Sequence, residues 1–318
     1  MTAHSKRPTI SVVMPVYNET SNIPELYRRL TAVMAQLAEP YELVFVDDGS
    51  FDDSVEKIKE LRENDIAVKL VRLSRNFGHQ KALQAGLSVA RGLAVVTMDS
   101  DLQDAPEVIP EFVARWREGY SVVFAIRRTR KEHFLKQWCY KSFYRLLNWL
   151  SETPLPIDSG DFALMDRKIT DLLNSLPERT RFLRGLRAWV GYKQIGVPID
   201  RDARFSGTPK YSLRQLFTLA SSGIISFSLM PLRIASALGL LVSCLSFISI
   251  ALVLYFRLFT HLSIPGFAST ASMLLFLSGV QLLTIGVLGE YVGKIYEEVK
   301  NRPIFLIAEK LGLEDDSG

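Results

Sequence analysis

The chain has 318 residues, of which 48% are hydrophobic and 23% charged, a balance that excludes a disordered or fibrous polypeptide. A net charge of +4, from 38 basic and 34 acidic residues, is too mild to point to a nucleic-acid partner. Two cysteines, Cys139 and Cys244, make neither a disulfide scaffold nor a zinc site, and a mean hydropathy of +0.12 implies that apolar residues are concentrated somewhere.

The N-terminus, Met1 to Pro8, is short and basic with no apolar run, so it does not read as a signal peptide. From there the pattern alternates. Apolar, β-rich runs at Thr9–Val16, Tyr41–Val46, Val68–Leu73, Leu93–Met98 and Ser121–Ile126 are separated by helical periodicity at Ile23–Leu37, Asp53–Glu63, Gln80–Ala90 and Glu107–Arg117. Strands spaced by helices of this size predict an α/β domain with a doubly wound, mainly parallel sheet, whose ligands bind outside the carboxyl ends of the strands.

Next comes a basic stretch, Arg127 to Leu150. Arg127, Arg128, Arg130, Lys131, Lys136, Lys141 and Arg145 face a single Glu132, while Leu135, Cys139, Phe143, Leu146 and Leu150 recur at helical spacing. With Trp138 and Trp149 as anchors, this predicts an amphipathic helix in the headgroup layer; a core-packing helix with a solvated basic face is the plainer alternative. Ser212 to Met230 reads as a second surface helix.

Two long apolar runs follow. Ile234–Phe256 carries no charge, and after Arg257 no acidic or basic side chain other than His261 occurs before Glu290. Each is long enough to span a bilayer, whereas a buried hairpin in a soluble core rarely lacks a charged face over such length. Lys210, Arg214 and Arg233 before the first run, and Lys294, Lys300 and Arg302 after the second, outweigh Arg257 between them. The expectation is a two-span protein of the plasma (inner) membrane with both termini and the active site cytoplasmic. The organisation expected is thus 1–126 for the ligand-binding core, 127–232 for an acceptor part with interfacial helices, 233–292 for the spans and 293–318 for a C-terminal tail.

The chemistry lies at the strand ends. The first strand runs into Pro15-Val16-Tyr17-Asn18-Glu19, the second into Asp47-Asp48-Gly49-Ser50, the third into Arg75-Asn76-Phe77-Gly78, and the fourth into Asp99-Ser100-Asp101-Leu102-Gln103. Asp99-x-Asp101 supplies hard oxygen ligands suited to Mg²⁺ or Mn²⁺ beside a phosphate, with Gln103 a neutral oxygen nearby. Asp47 and Asp48 read either as ligand groups or as turn formers before Gly49. Asp52 and Asp53 read as helix caps, with Ser50 opening a capping box. His79 reads as a local polar contact. No Gly-x-Gly-x-x-Gly and no P-loop motif is present.

Taken together, Val13–Glu19, Val46–Ser50 and Asp99–Gln103 resemble the family-2 glycosyltransferases of the GT-A fold. Ser74–Gln80, Asp158–Met165 and Phe182–Gly185, followed by two spans, are similar to its polyprenyl-phosphate glycosyltransferase branch, the bactoprenol glucosyltransferase and dolichyl-phosphate mannose synthase group. The resemblance implies that Pro15, Tyr17, Glu19 and Asp47 border the nucleotide, that Asp99 also lies against it, and that Lys81 adds charge. It implies that Asp99, Asp101 and Gln103 hold a divalent ion on the diphosphate. Asp158 and Asp161 are candidates for base, sugar positioning or oxocarbenium stabilisation, and a turn role before Gly160 is the alternative for Asp158. Arg127, Arg130 and Lys210 are candidates for the acceptor phosphate.

The reaction implied is an inverting transfer of one hexose, with UDP-glucose the favoured donor, to polyprenyl (undecaprenyl) phosphate at the bilayer, by a homo-oligomer of which a tetramer is one form. GDP-mannose and aminoarabinose-type donors stand as alternatives. Two rival functions are a processive polysaccharide synthase and a non-catalytic membrane-anchored nucleotide-sugar binder. The first is disfavoured because Arg184–Trp189 lacks the Gln-x-x-Arg-Trp arrangement, the second because the metal-binding set is complete.

Overall fold

The computed structural model describes residues 8–127, 159–178, 183–199, 230–259 and 266–313. The basic stretch beyond Arg127, the surface helix before Met230, and the candidates Arg130, Asp158 and Lys210 lie outside the described residues.

The strand runs read from the sequence form β1 (Ile10–Val16), β2 (Tyr41–Asp47), β3 (Val68–Leu73), β4 (Ala94–Thr97) and β5 (Val122–Arg127). Between them lie α1 (Ile23–Leu37), α2 (Ser54–Asn64), α3 (His79–Val89) and α4 (Ile109–Arg117), the last preceded by a 3₁₀ turn at Pro106–Val108. β1 is buried along its whole length, as expected of a parallel strand covered on both faces. Alternate side chains divide the work. Ile10, Val12, Met14 and Val16 join Leu26 and Leu30 of α1 and Phe112 of α4 in one core, while Val13 faces α3 at Gly86, where any added Cβ would sit 2.2 Å from the Val13 side chain.

The second half of the sheet was not apparent from periodicity. It contains β6 (Ser159–Asp166), α5 (Arg167–Ser175), α6 (Leu183–Trp189) and β7 (Gln194–Ile199). Among the described residues the sheet has eight strands in the order β7-β5-β6-β4-β1-β2-β3-β8. The run β4-β1-β2-β3 is parallel throughout. β6 inserts antiparallel between β4 and β5, so the sheet is mixed on that side.

The segment after the second long apolar run contributes β8 (Ile307–Leu311), antiparallel to β3. A stretch read as a tail therefore carries a sheet strand. A separate compact unit holds α7 (Met230–Phe259) and α8 (Phe267–Val299). Both are long and apolar enough to cross a membrane, with almost none of their apolar windows buried; Phe247 and Leu282 are each about 70% exposed. A hairpin buried in a soluble core would have covered those faces.

Candidate active site

The carboxyl ends of the parallel strands form a polar rim held together mainly by backbone N–H groups. At the β2 end, Asp48 accepts hydrogen bonds from Phe77 N (2.7 Å) and Gly78 N (2.9 Å), tying the second strand end to the third. Burial nonetheless pushes its carboxyl above the usual range, with those two donors opposing. Gly49 makes this closeness feasible. It sits at φ +72°, and a Cβ there would lie 2.7 Å from Arg75 C and Asn76 N, so only glycine fits.

Asp47 is fully buried. Its Oδ1 accepts from Ser50 N at 3.0 Å, and its Oδ2, which has no hydrogen-bond donor among the described residues, lies 3.6 Å from Arg72 Nε. At the β1 end, Asn18 takes a left-handed φ of 55°, tolerable for asparagine, and its Oδ1 accepts from Phe51 N. Tyr17 stands edge-on to Phe51 with ring centroids 6.1 Å apart. Glu19 accepts from Asn22 Nδ2, and Pro15 O accepts from Ser100 Oγ at 2.7 Å, which fastens the first strand end to the fourth. The capping expectation needs correction. Asp53 is the N-cap of α2 without a side-chain cap bond, Asp52 instead accepts from Ser54 N, Thr20 N and Thr20 Oγ1, and Ser50 Oγ accepts from Asn18 N. Asp52 thus still reaches the first N–H of α2 while also tying in Thr20, and Ser50 joins the β1 loop instead of the helix.

The β4 end differs. Asp101 is buried and accepts from Gln103 N at 3.2 Å; between them Leu102 is held at φ 60°, strain of the kind that persists where surrounding structure fixes a functional loop. Asp99 Oδ1 is buried and has no hydrogen-bond donor among the described residues. Burial pushes the Asp99 carboxyl up, and His79 only partly counters this against the charges of Asp161 and Asp101. A buried carboxylate oxygen that meets no donor among the described residues, near the charge of a second carboxylate, fits a hard divalent cation. Among the described residues no three His, Cys, Asp or Glu side chains converge as a metal cage. That suits an ion whose remaining ligands are water and substrate phosphate.

Because β4 and β6 run antiparallel with Thr97 opposite Ala163, continuing that register sets Asp99 across from Asp161, and Thr97 Oγ1 donates to Asp161 O. Asp161 Oδ1 accepts from Arg184 Nε (2.8 Å), and Oδ2 from Arg184 Nη2 (2.9 Å) and Gln80 Nε2 (3.1 Å). His79 Nε2 lies 3.3 Å from Asp161 Oδ2 and 3.4 Å from Asp99 Oδ1. Burial alone would raise the Asp161 carboxyl, but Arg184 and His79 hold it well below the usual range. His79, which burial would depress, is raised by its hydrogen bond to Asp161 and by Asp99. Nearby, Arg187 is buried, donates to Gly160 O at 2.7 Å, and is drawn down by burial to about 10, so it stays cationic at neutral pH.

The structure thus brings Pro15, Tyr17, Glu19, Asp47, Asp99, Asp101, Gln103 and Asp161 to neighbouring strand ends. Lys81 is exposed on the first turn of α3, and Arg127 closes β5 opposite Ile199. Periodicity did not assign roles to Gln80 or Arg184. The only signal for them lay in the segments Ser74–Gln80 and Phe182–Gly185 that mark the resemblance.

The model of glycosyl transferase family 2 matches residues 11–173, and that of the GtrB C-terminal hairpin matches residues 230–295. The uncharacterized glycosyltransferase YkcC of Bacillus subtilis (strain 168) is 46% identical over 98% of this chain and 97% of its own. The chain belongs to glycosyl transferase family 2. This glycosyltransferase is also 41% identical to the SfII prophage-derived bactoprenol glucosyl transferase of Shigella flexneri, over 94% of this chain and 97% of that one. Among solved structures it is similar to glucosyl-3-phosphoglycerate synthase from Mycobacterium tuberculosis in complex with Mn²⁺, UDP and phosphoglyceric acid. That likeness has a TM-score of 0.50 and 22% identity, over 69% of this chain and 76% of the other. It supports the GT-A fold.

Proposed function

We propose that this glycosyltransferase moves a single hexose, glucose from UDP-glucose, with inversion onto polyprenyl (undecaprenyl) phosphate at the cytoplasmic face of the membrane. The observation that carries the reading is the β4 end, where Asp99 Oδ1 is buried without a donor next to Asp101. The bactoprenol glucosyl transferases among its relatives support the acceptor class. Asp99, Asp101 and Gln103 would hold Mg²⁺ or Mn²⁺, and the Mn²⁺ and UDP bound to the similar synthase support a divalent ion. When bound, such an ion neutralises charge on the diphosphate.

The chain's own residues do the rest. Tyr17, Glu19, Pro15 and Asp47 border base and ribose, and Lys81 adds positive charge to the approach. A phosphate oxygen of the acceptor forms the new bond to the sugar's anomeric carbon as the bond to the nucleoside diphosphate breaks, and UDP leaves. The acceptor phosphate has a second pKa of roughly 6, so at neutral pH it is largely dianionic and needs little help from a base. Asp158 then serves to orient the sugar or stabilise its developing positive charge, and Arg127, Arg130 and Lys210 receive the acceptor phosphate.

The architecture supports the placement. Two crossings return the chain to the side it left, and β8 after the second span pairs with β3 of the catalytic sheet. This supports reading both termini and the rim on one side, the cytoplasmic one by the flanking lysines and arginines. We extend the reading to a homo-oligomer, with a tetramer as the form to test by mass. The organisation 1–126, 127–232, 233–292 and 293–318 is proposed with one refinement, that the last segment also completes the sheet.

Purified protein with UDP-glucose, polyprenyl phosphate and Mg²⁺ or Mn²⁺, with and without chelator, tests the reading. A single-sugar lipid product lost on chelation is expected. Long polymer, or no product from any nucleotide sugar, would overturn it.

A further inference from the structure

Sugar transfer to a dianionic phosphate leaves Asp161 without an obvious proton to remove, and its surroundings are those of an anchor. Both oxygens are already taken. Arg184 grips them in a two-pronged pair, Gln80 Nε2 shares Oδ2, and His79 Nε2 lies within 3.3 Å of the same atom. An incoming proton would have to displace a guanidinium from a nearly buried carboxylate. Gln80 does double duty, because its Oε1 also accepts from Leu183 N, so one side chain of α3 joins β6 to the start of α6. Three residues after Arg184, the buried Arg187 donates to Gly160 O, so α6 holds adjacent residues of β6 through both backbone and side chain. On the other flank His79 sits midway between Asp161 Oδ2 and Asp99 Oδ1.

We propose that Asp161, Arg184, Gln80 and His79 form a positioning clamp in which Asp161 is the anchor and His79 the spacer that aims Asp99 at the diphosphate-bound cation. This rests on the reading of Asp99 as a metal ligand. The physical reason is the antiparallel register. It places two carboxylates, one just past the end of β4 and one on β6, across from each other. Left alone they would repel and Asp99 would be free to turn. The Arg184 fork removes one negative charge from that balance, and His79 fills the gap with a group that faces both. Groups behind a metal ligand fix its orientation, and their loss typically costs about 10- to 100-fold in metal affinity or activity.

The test uses the full-length protein in detergent and reads Mn²⁺ affinity in the presence of UDP, by paramagnetic resonance, alongside kcat, KM for each substrate and melting temperature. Asp161→Asn and His79→Gln are expected to weaken Mn²⁺ binding about 10-fold and lower kcat by a similar factor, with KM for polyprenyl phosphate unchanged. Asp161→Asn combined with Arg184→Gln should cost much less than the product of the single losses, because the two act as one unit. If Asp161→Asn does not fold, His79→Gln, which leaves the Arg184 fork intact, carries the same measurement. Wild-type Mn²⁺ affinity in both single variants overturns the clamp, and a kcat loss above about 1000-fold in Asp161→Asn without any change in Mn²⁺ affinity would reinstate it as a base. Asp99→Asn separates the two levels. If it too binds Mn²⁺ normally, the metal reading itself fails; if it alone loses Mn²⁺, only the clamp fails.

Discussion

Two strand ends one position removed from each other in the sheet, those of β2 and β4, carry nearly the same grammar: a hydrophobic run, two carboxylates, a tight loop. Their surroundings differ. At β2, Asp48 is met by two backbone N–H groups from the β3 loop and Gly49 lets that loop approach to van der Waals contact. At β4, Asp99 has an oxygen that no hydrogen-bond donor among the described residues reaches. The lesson is that a carboxylate's role depends on the donors the fold supplies. Asp48, met by donors, fastens loops. Asp47 Oδ2 meets no donor among the described residues either but has Arg72 Nε 3.6 Å away. Asp99 is left among the charges of Asp161 and Asp101, which is what makes it the proposed cation ligand.

That contrast can be broken by substitution. Asp101→Asn should lower turnover at least about 100-fold, a loss of roughly 2.7 kcal/mol in transition-state stabilisation, with little change in melting temperature; near wild-type rates would show that the β4 end is structural after all. Gly49→Ala should act the other way, costing about 1–3 kcal/mol of stability from the left-handed backbone and the clash with Arg75 and Asn76, read as an earlier thermal transition in detergent. Asp48→Asn should cost about 1–2 kcal/mol, since an amide oxygen replaces only part of what the carboxylate accepts, while the folded fraction keeps turning over. Equal turnover losses in Asp48→Asn and Asp101→Asn would erase the distinction drawn here. The smallest effect is expected at the sheet edge, where Lys59 pairs with Glu309 of β8 at 2.9 Å with both side chains over 30% exposed. Lys59→Met should cost less than about 1 kcal/mol, and a larger loss would mean that β8 is held chiefly by charge.

The reading of the chain was sharpest where local periodicity and turn chemistry suffice. β1 to β5 and α1 to α4 begin and end within a residue or two of the expected positions, because strands buried on both faces and helices with one apolar stripe announce themselves. α7 and α8 were equally plain, since a long uncharged run has few other uses in water. β6 was hidden: Gly160-Asp161-Phe162-Ala163 alternates weakly, and Asp161 was marked only through the family resemblance, its partner Arg184 arriving from beyond α5. β8 was hidden for a related reason, its Ala308-Glu309-Lys310 being polar enough for a tail and becoming a strand only against the open edge of β3.

What the amino-acid sequence decided by itself was the menu: an α/β sheet, two helices long and apolar enough to cross a membrane, and acidic strand ends suited to a metal and a phosphate, all set by contacts within a few residues. What only the tertiary structure decided was which carboxylates stay unsatisfied. The antiparallel register of β6 on β4 sets Asp161 across from Asp99, and the path of α6 brings Arg184 to one of them while leaving Asp99 with His79 alone. Hydrogen-bond donors arriving from about 20 to 80 residues away along the chain leave no trace in local pattern, because their spacing is fixed by packing and not by helical or strand period.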